Sequence, residues 1–420
     1  MPPTTILLTD IQAGSQMVQE SFHIEVNGLW KVFGSRPERA LRPEYASKSR
    51  DEIQDELGLV VGLRDVAFRV PRGQTFVVMG LSGSGKSTLA RCLIRLIEAT
   101  EGQIQFDGED ICRYSAEDLR QFRRDKIAMV FQNYALLPHR RVLDNVAYGL
   151  EVQGMDKDSR YRLAADAIET VGLRGWEYYY PSEMSGGMQQ RVGLARALAV
   201  DPEVLIMDEP FSGLDPLIRR EMQDELVMLQ SELQKTIIFI THDLDEALKL
   251  GDRIAIMRDG VIVQEGTPEE IVTRPANDYV SEFVQDVSRA KVIRAGSIMQ
   301  EPDVVIHEGL DCRAALAAMQ DNSAEAAYVV GDDNVLLGVL TQDRIMDLAN
   351  QRTGALGAAQ TEGLATTSPA TFIEKIIPLA AETEHFIAVV DDEGRLLGEI
   401  HRRALLAGMV DELPDGGLAV

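Results

Sequence analysis

A chain of 420 residues is longer than one average domain, so two or three hydrophobic cores are expected. Its apolar fraction of 45% is that of an ordinary globular protein, and no run approaches the roughly 18 consecutive apolar residues that cross a bilayer. The net charge of −25 opposes binding to DNA, RNA or anionic lipid, because the electrostatic part of such binding needs a basic surface, and only a local basic patch would escape that exclusion.

The opening stretch MPPTTILLTDIQAG has no basic residues ahead of its short apolar run, so a secretory signal is not expected and a cytosolic location is. Residues 1–21 show no periodicity and read as a loose segment. From about residue 22 to 285, short apolar runs such as Thr75 to Met79, Val204 to Met207 and Thr236 to Ile240 alternate with longer helical patterns, which predicts an α/β domain. A charged stretch at about 34–62 interrupts the alternation. Its second half has the pattern of a surface helix, and a plain insertion and a regulatory element both fit it.

Residues Gly80 to Thr88 read GLSGSGKST and fit the phosphate-loop pattern G-x-x-x-x-G-K-[ST]. Gly80, Gly83 and Gly85 allow the backbone N–H groups, with Ser82, Ser84 and Thr88 among them, to converge on phosphates. Lys86 is placed for the β- and γ-phosphates and Ser87 for a magnesium ion. The loop follows the buried-looking run TFVVM and precedes a helical pattern from about Ser87 to Ile97, which points its positive dipole end at the phosphates. Further on, Ser185, Gly186 and Gly187 precede a helical run beginning near Met188 and offer a second anion-binding helix end. Asp208 and Glu209 end the run VLIM: the first carboxylate can hold the magnesium shell and the second can take a proton from an attacking water. Gln132 and His242 each follow another strand-like run.

Beyond about residue 290 the composition shifts and a repeat appears, YVVGDDNVLLG at Tyr328 to Gly338 and AVVDDEGRLLG at Ala388 to Gly398. Each copy reads as strand, acidic turn, strand and helix. Gly354 to Gly363 reads as a connector between copies, at 290–349 and 364–410, with an acidic tail at 411–420. The three cysteines, Cys92, Cys112 and Cys312, lie far apart without C-x-x-C spacing and are expected to be ordinary thiols.

With the phosphate loop, the SGGMQQR stretch at Ser185 to Arg191 and LIMDEP at Leu205 to Pro210 on one chain, the sequence resembles an ATP-binding cassette (ABC) ATPase. The repeats resemble a tandem pair of cystathionine-β-synthase (CBS) domains, so the fold expected is an α/β P-loop ABC ATPase domain followed by an α+β CBS module. The resemblance implies ATP and Mg2+ as cofactors, with Gln132 and His242 as switch residues at the metal and the γ-phosphate and Glu209 as catalytic base. It implies that Phe33, rather than the nearby Trp30, stacks on the nucleotide base. It also implies that Ser185 to Gly187 and the loop Ser212 to Asp215 complete the site of a second ATPase subunit. Met184 and Met188 depart from the commonest family signature without removing a phosphate donor.

The stretches MGLSGSGKST and KIAMVFQNYALLPHRRVLDNVAYGLE, the insertion and the paired repeats together resemble the ATPase subunit of glycine betaine/proline-type importers. That resemblance implies an integral-membrane permease, docking near Leu137, Pro138 and His139, a substrate-binding protein, and a peripheral place on the cytoplasmic face of the inner membrane. The solutes it leaves open are glycine betaine, proline betaine, choline, carnitine and trimethylamine N-oxide. A cassette acting on nucleic acid is the rival reading, disfavoured by the single cassette and the lack of a long coiled coil. In the first repeat Arg344 stands where a nucleotide-binding CBS pattern has aspartate, and the second has Gly398, His401 and Ala404 at the matching places, so ribose recognition is not expected. With nine Lys/Arg against twenty-one Asp/Glu from residue 290 onward, lipid sensing is disfavoured outside a local patch of His401, Arg402 and Arg403. A regulatory or dimer-bracing role is the favoured reading of the pair.

Overall fold

In a computed structural model, residues 22–132, 135–322, 324, 326–350, 364–383 and 386–409 are described. The expected loose segment 1–21, the connector at 354–363 and the acidic tail at 411–420 lie outside them. The chain divides into two compact units between Glu265 and Gly266, so the helices Pro268–Thr273 and Asp278–Val284 group with the second.

The first unit has two sheets. Strands β1 (Phe22–Phe33), β2 (Val60–Pro71), β4 (Glu101–Phe106) and β5 (Glu109–Asp110) form an antiparallel sheet in the order β2-β1-β4-β5. A six-stranded sheet runs β10-β9-β3-β8-β7-β6, from β3 (Thr75–Met79), β6 (Ile127–Val130), β7 (Val204–Asp208), β8 (Thr236–Thr241), β9 (Arg253–Arg258) and β10 (Val261–Gly266). Strands β6, β7, β8, β3 and β9 are mutually parallel, and every residue of β3, β7 and β8 is buried. Burial on both faces explains why these strands read as unbroken apolar runs. Leu89, Ala90, Cys92 and Leu93, on the helix Lys86–Leu93 after the phosphate loop, share one core with both sheets. That helix stops short of the expected Ile97 because the chain turns away at Arg95, where φ is 51°.

The insertion folds as short 3₁₀ turns and the helix Arg50–Leu57. Ser49 and Glu52 form a reciprocal capping box at its start, Gly58 ends it in the left-handed conformation, and Ile53 pins it to a small core with Val32, Leu59 and Val61.

The second unit contains two three-stranded sheets of matching design. In the first, β11 (Val305–His307) pairs parallel to β12 (Ala326–Val330), which pairs antiparallel to β13 (Leu336–Thr341). In the second, β14 (Thr366–Thr367), β15 (Ile387–Val390) and β16 (Leu396–Ile400) repeat that arrangement. Each β-hairpin is followed by a helix, Gln342–Asn350 and Arg402–Met409. Tyr328, Val339 and Ala388 are buried together, so the two sheets meet face to face.

Candidate functional site

Parallel strands deliver the loops at their C-terminal ends to one edge of a sheet, which is where open α/β sheets place ligands. Here β3 leads into the phosphate loop, β6 into Gln132, β7 into Asp208 and Glu209, and β8 into His242. Residues dispersed over the sequence are thereby gathered in one place.

The phosphate loop needs its glycines. At Gly80, with φ 151°, an added Cβ would lie 2.2 Å from the Met257 carbonyl oxygen, and at Gly85, with φ 110°, 2.6 Å from that of Gly62. Only glycine fits such an approach. Lys86 is buried, and its Nζ donates to the carbonyls of Gly80 at 2.7 Å and Leu81 at 3.0 Å. Burial pulls its pKa below the usual lysine range, while Glu209 and Asp208 pull the other way. The Ser84 hydroxyl is buried within the loop with no hydrogen-bond partner, as expected of a donor built for a phosphate oxygen. Ser82 and Gly83 are exposed at its tip. This cradle, with its positive φ angles, orphaned hydroxyl and lysine, fits a nucleotide polyphosphate.

Ser87 donates to Asp208 Oδ1 at 3.1 Å. Burial raises the pKa of Asp208, opposed by the Ser87 hydrogen bond and reinforced by Glu209. Glu209 takes φ 48°, the left-handed region unusual for a residue with a side chain, and its N–H donates to the Ile240 carbonyl at 2.9 Å. Its Oε2 lies 3.1 Å from His242 Nδ1 and 3.5 Å from Gln132 Nε2. The Ser212 hydroxyl donates to the Glu209 carbonyl at 3.1 Å, tying the next loop to this turn. Gln132, Asp208, Glu209, His242, Lys86 and Ser87 thus form one constellation.

Phe33 is 39% exposed, and its ring lies against the phosphate-loop helix: a Cβ added to Gly62 would be 2.8 Å from Phe33 Cε2 and 3.3 Å from Thr88 Cγ2. Trp30 instead packs in the insertion core, with Arg64 over its ring at 5.7 Å.

Ser185, Gly186 and Gly187 sit elsewhere, at the start of the helix Gly186–Leu198. The helix begins at Gly186 rather than near Met188, because Ser185 caps it by accepting from the Met188 N–H, and the bare Gly187 lets Ile218 approach: a Cβ there would fall 2.6 Å from Ile218 Cγ2. Asp215 caps the helix Pro216–Leu233, its Oδ1 accepting from Leu217 N and Ile218 N, each at 3.1 Å. Within the single subunit the Asp215 carboxylate serves a helix end. One residue the motifs did not mark also reaches the site. Arg50, in the insertion, donates to the Gly83 carbonyl at 3.1 Å. No motif singles out one arginine in a charged insertion, so sequence offered no signal for it.

A family model described as ABC transporter matches residues 63–212, and one described as CBS domain matches 295–350 and 359–411. The "Glycine betaine/proline betaine transport system ATP-binding protein ProV" of Salmonella typhimurium is 45% identical over 397 residues, 94% of this chain and 99% of its own. The chain belongs to that family of ABC transport ATP-binding proteins. The "Glycine betaine transport ATP-binding protein OpuAA" of Bacillus subtilis is 46% identical over 93% of each chain. The "Trimethylamine N-oxide transport system ATP-binding protein TmoW" of Ruegeria pomeroyi is 48% identical over 77% of this chain and 96% of its own. A solved structure described as the dimeric post-hydrolysis state of the ATP-binding cassette MJ0796 bound to ADP and Pi superposes with a TM-score of 0.50 at 28% identity, covering 58% of this chain and 98% of that one. This ABC subunit is therefore an ATP-binding ATPase that works in transport, and the nucleic-acid reading is set aside. Among the described residues no helix is long and apolar enough to cross a membrane.

Proposed function

We propose that this ABC subunit hydrolyses ATP with Glu209 as general base and thereby powers import of a compatible solute, a betaine or related methylated amine, through a partner permease. The convergence of Gln132, Glu209 and His242 at the strand ends beside Ser87 and Asp208 carries this reading. Glu209 Oε2 is held by His242 and Gln132, in place to accept the proton of a water attacking the γ-phosphorus. Lys86 and the amides of Gly80 to Thr88 take up the charge that develops on the phosphate oxygens. His242 and Gln132 position the water and sense the γ-phosphate, and Phe33 stacks on the base. Ser87, Asp208 and Gln132 have the oxygen donors that suit Mg2+ and would hold it, and the ion would supply positive charge to offset that of the phosphates.

One phosphate loop and one Ser185–Gly187 helix end per chain support a dimer of two such subunits. In that arrangement each helix end closes over the nucleotide of the other, and the loop Ser212 to Asp215 crosses between them. The permease is proposed to dock beside the segment after Gln132. Pro138 and His139 are exposed there, and a neighbouring cleft of about 390 Å³ is lined by Phe131, Tyr148 and Val152, all exposed apolar side chains. This docking places the subunit peripherally on the cytoplasmic membrane face. The domain limits proposed are 22–285 for the cassette and 290–349 and 364–410 for the repeats.

The test is ATP hydrolysis by the complex reconstituted with its permease and binding protein, titrated with a panel of methylated amines. Stimulation by one of them identifies the solute. Steady hydrolysis by the subunit, untouched by any of them, would overturn the proposed cargo class.

A further inference from the structure

The two repeats of the second unit superimpose in register, and that symmetry is broken at one place. Tyr328 pairs with Val339 across β12 and β13, and Ala388 pairs with Glu399 across β15 and β16. Two residues further along, Thr341 ends β13 and His401 follows β16. One end of the seam between the sheets is therefore apolar, with Val339, Ala388 and Leu364 packed together. The equivalent end brings together Asp303, Tyr328, Glu399 and His401.

Those polar groups make a compact donor set. Glu399 is 1% exposed, yet His401 Nε2 is the single basic side-chain nitrogen paired with it among the described residues, at 2.8 Å from Oε1. The Asp303 N–H donates to the same oxygen at 3.2 Å, across ninety-six residues of sequence. One ligand atom from each of Asp303, Glu399 and His401 can be chosen so that all lie within 4.8 Å of one another. Phe386 stacks on the His401 ring at 3.9 Å between centroids and fixes its plane. Tyr328 provides an independent sign of something that belongs there. It is 4% exposed, close enough for both carboxylates to bear on its hydroxyl, and that hydroxyl has no partner of good geometry among the described residues. A buried hydroxyl without a partner is costly unless a ligand or its bound water supplies one.

A second group of the same composition argues by contrast. His23, Asp107 and Glu203 also lie close together, but Arg72 pairs with both carboxylates and Lys126 with Glu203, while His23 Nδ1 is engaged by Thr236 at 2.6 Å. That group is already neutralised. At the repeat seam no lysine or arginine pairs with Asp303 or Glu399 among the described residues, leaving two carboxylates and one imidazole.

We propose that Asp303, Glu399 and His401 bind one divalent transition-metal ion of the Zn2+ class at the seam between the repeats. Imidazole nitrogen and carboxylate oxygen are both ligand types of that ion, and two carboxylates balance its charge. The fourth position is left to a water, within reach of the unpartnered Tyr328 hydroxyl. Binding displaces any proton from His401 Nε2 and replaces its hydrogen bond to Glu399 with two metal bonds. Asp303 is exposed and His401 half-buried, which gives the ion a way in from solvent. Since ligands come from both repeats, the ion would fasten one repeat to the other.

The experiment uses the full-length subunit, stripped with chelator and kept in millimolar Mg2+. Zn2+ is titrated in competition with a chromophoric chelator, and Co2+ is added separately to read the ligand set from its visible absorption. One site per chain is expected, with tetrahedral Co2+ bands, weakened roughly tenfold or more in both Asp303→Asn and His401→Ala. Asp303 is exposed, so Asp303→Asn tests the site even if His401→Ala misfolds. No Zn2+ site in the wild-type chain, or a site of equal affinity in Asp303→Asn, would overturn the proposal.

Discussion

The two units place their polar chemistry in opposite ways. In the cassette, Gln132, Glu209 and His242 stand just beyond the ends of buried, mainly apolar strands, and among the site residues only Asp208 lies in the sheet itself, at the last position of its strand. In the repeats, Tyr328 and Glu399 lie within the strands and are buried between the sheets. Loop-end groups can change without disturbing packing, whereas strand-face groups are part of the packing. Substitutions in the first unit should therefore alter turnover more than stability, and those in the second should do the reverse.

The largest effect expected is on hydrolysis. Glu209→Gln should lower turnover by roughly 10²- to 10⁴-fold while ATP still binds, measured as steady-state phosphate release beside nucleotide affinity. Unchanged turnover would remove Glu209 from its role as base. Asp208 is the exception in the cassette, because it is a buried strand residue, and it should show both effects. Its folded pKa is raised, so the ionised form opposes folding: that cost is complete above the folded pKa and disappears as pH falls below the ordinary aspartate value of about 4. Asp208→Asn should abolish hydrolysis yet melt a few degrees higher at pH 7, with the gain shrinking as the solution is acidified. A lower melting temperature at pH 7 would show that the Ser87 hydrogen bond outweighs burial.

In the repeats, Glu399→Val combined with His401→Thr gives the polar end of the seam the residues of the apolar one. In metal-free buffer, removing both partners together should hold or raise stability by up to about 2 kcal/mol, since replacing a buried ion pair whole with apolar side chains is often neutral or stabilising. Thermal denaturation decides this, and a marked loss would mean that the pair braces the seam without an ion. The smallest effect belongs to Ser49→Ala, which removes the cap of the insertion helix at a cost of about 1 kcal/mol. Because Arg50 follows directly and donates to Gly83, ATP affinity should fall slightly with it. If affinity is unmoved, the insertion is only a surface decoration.

Legibility in the sequence followed the range of the contacts. Lys86, Ser87, Asp208, Glu209, Gln132 and His242 were found because each sits next to an apolar run, and a parallel sheet converts that adjacency into proximity at a single edge. The repeat announced its own fold, since the hairpin Tyr328 to Gly338 recurs at Ala388 to Gly398. Asp215 was expected only in a loop crossing to a second subunit, although Asp followed by Pro216 is also a helix-start signal, and its carboxylate caps the helix Pro216–Leu233. The Arg50–Gly83 contact and the group around Glu399 escaped for another reason. They join segments whose separation carries no pattern, and at the seam the informative fact was a departure from the repeat: Glu399 against Val339 and His401 against Thr341.

Glu209 also bears on how this chain can vary. Because its backbone is left-handed, the main chain fixes an unusual direction for the Cα–Cβ bond, and the side-chain torsions then carry the carboxylate to His242 and Gln132. Of the residues that tolerate such a backbone best, glycine and asparagine lack the acid and aspartate holds it one methylene shorter, while β-branched residues are strained there. Position 209 is thus a narrow passage for mutation: the glycine or asparagine that would relax the chain there would also remove the carboxylate proposed as the base.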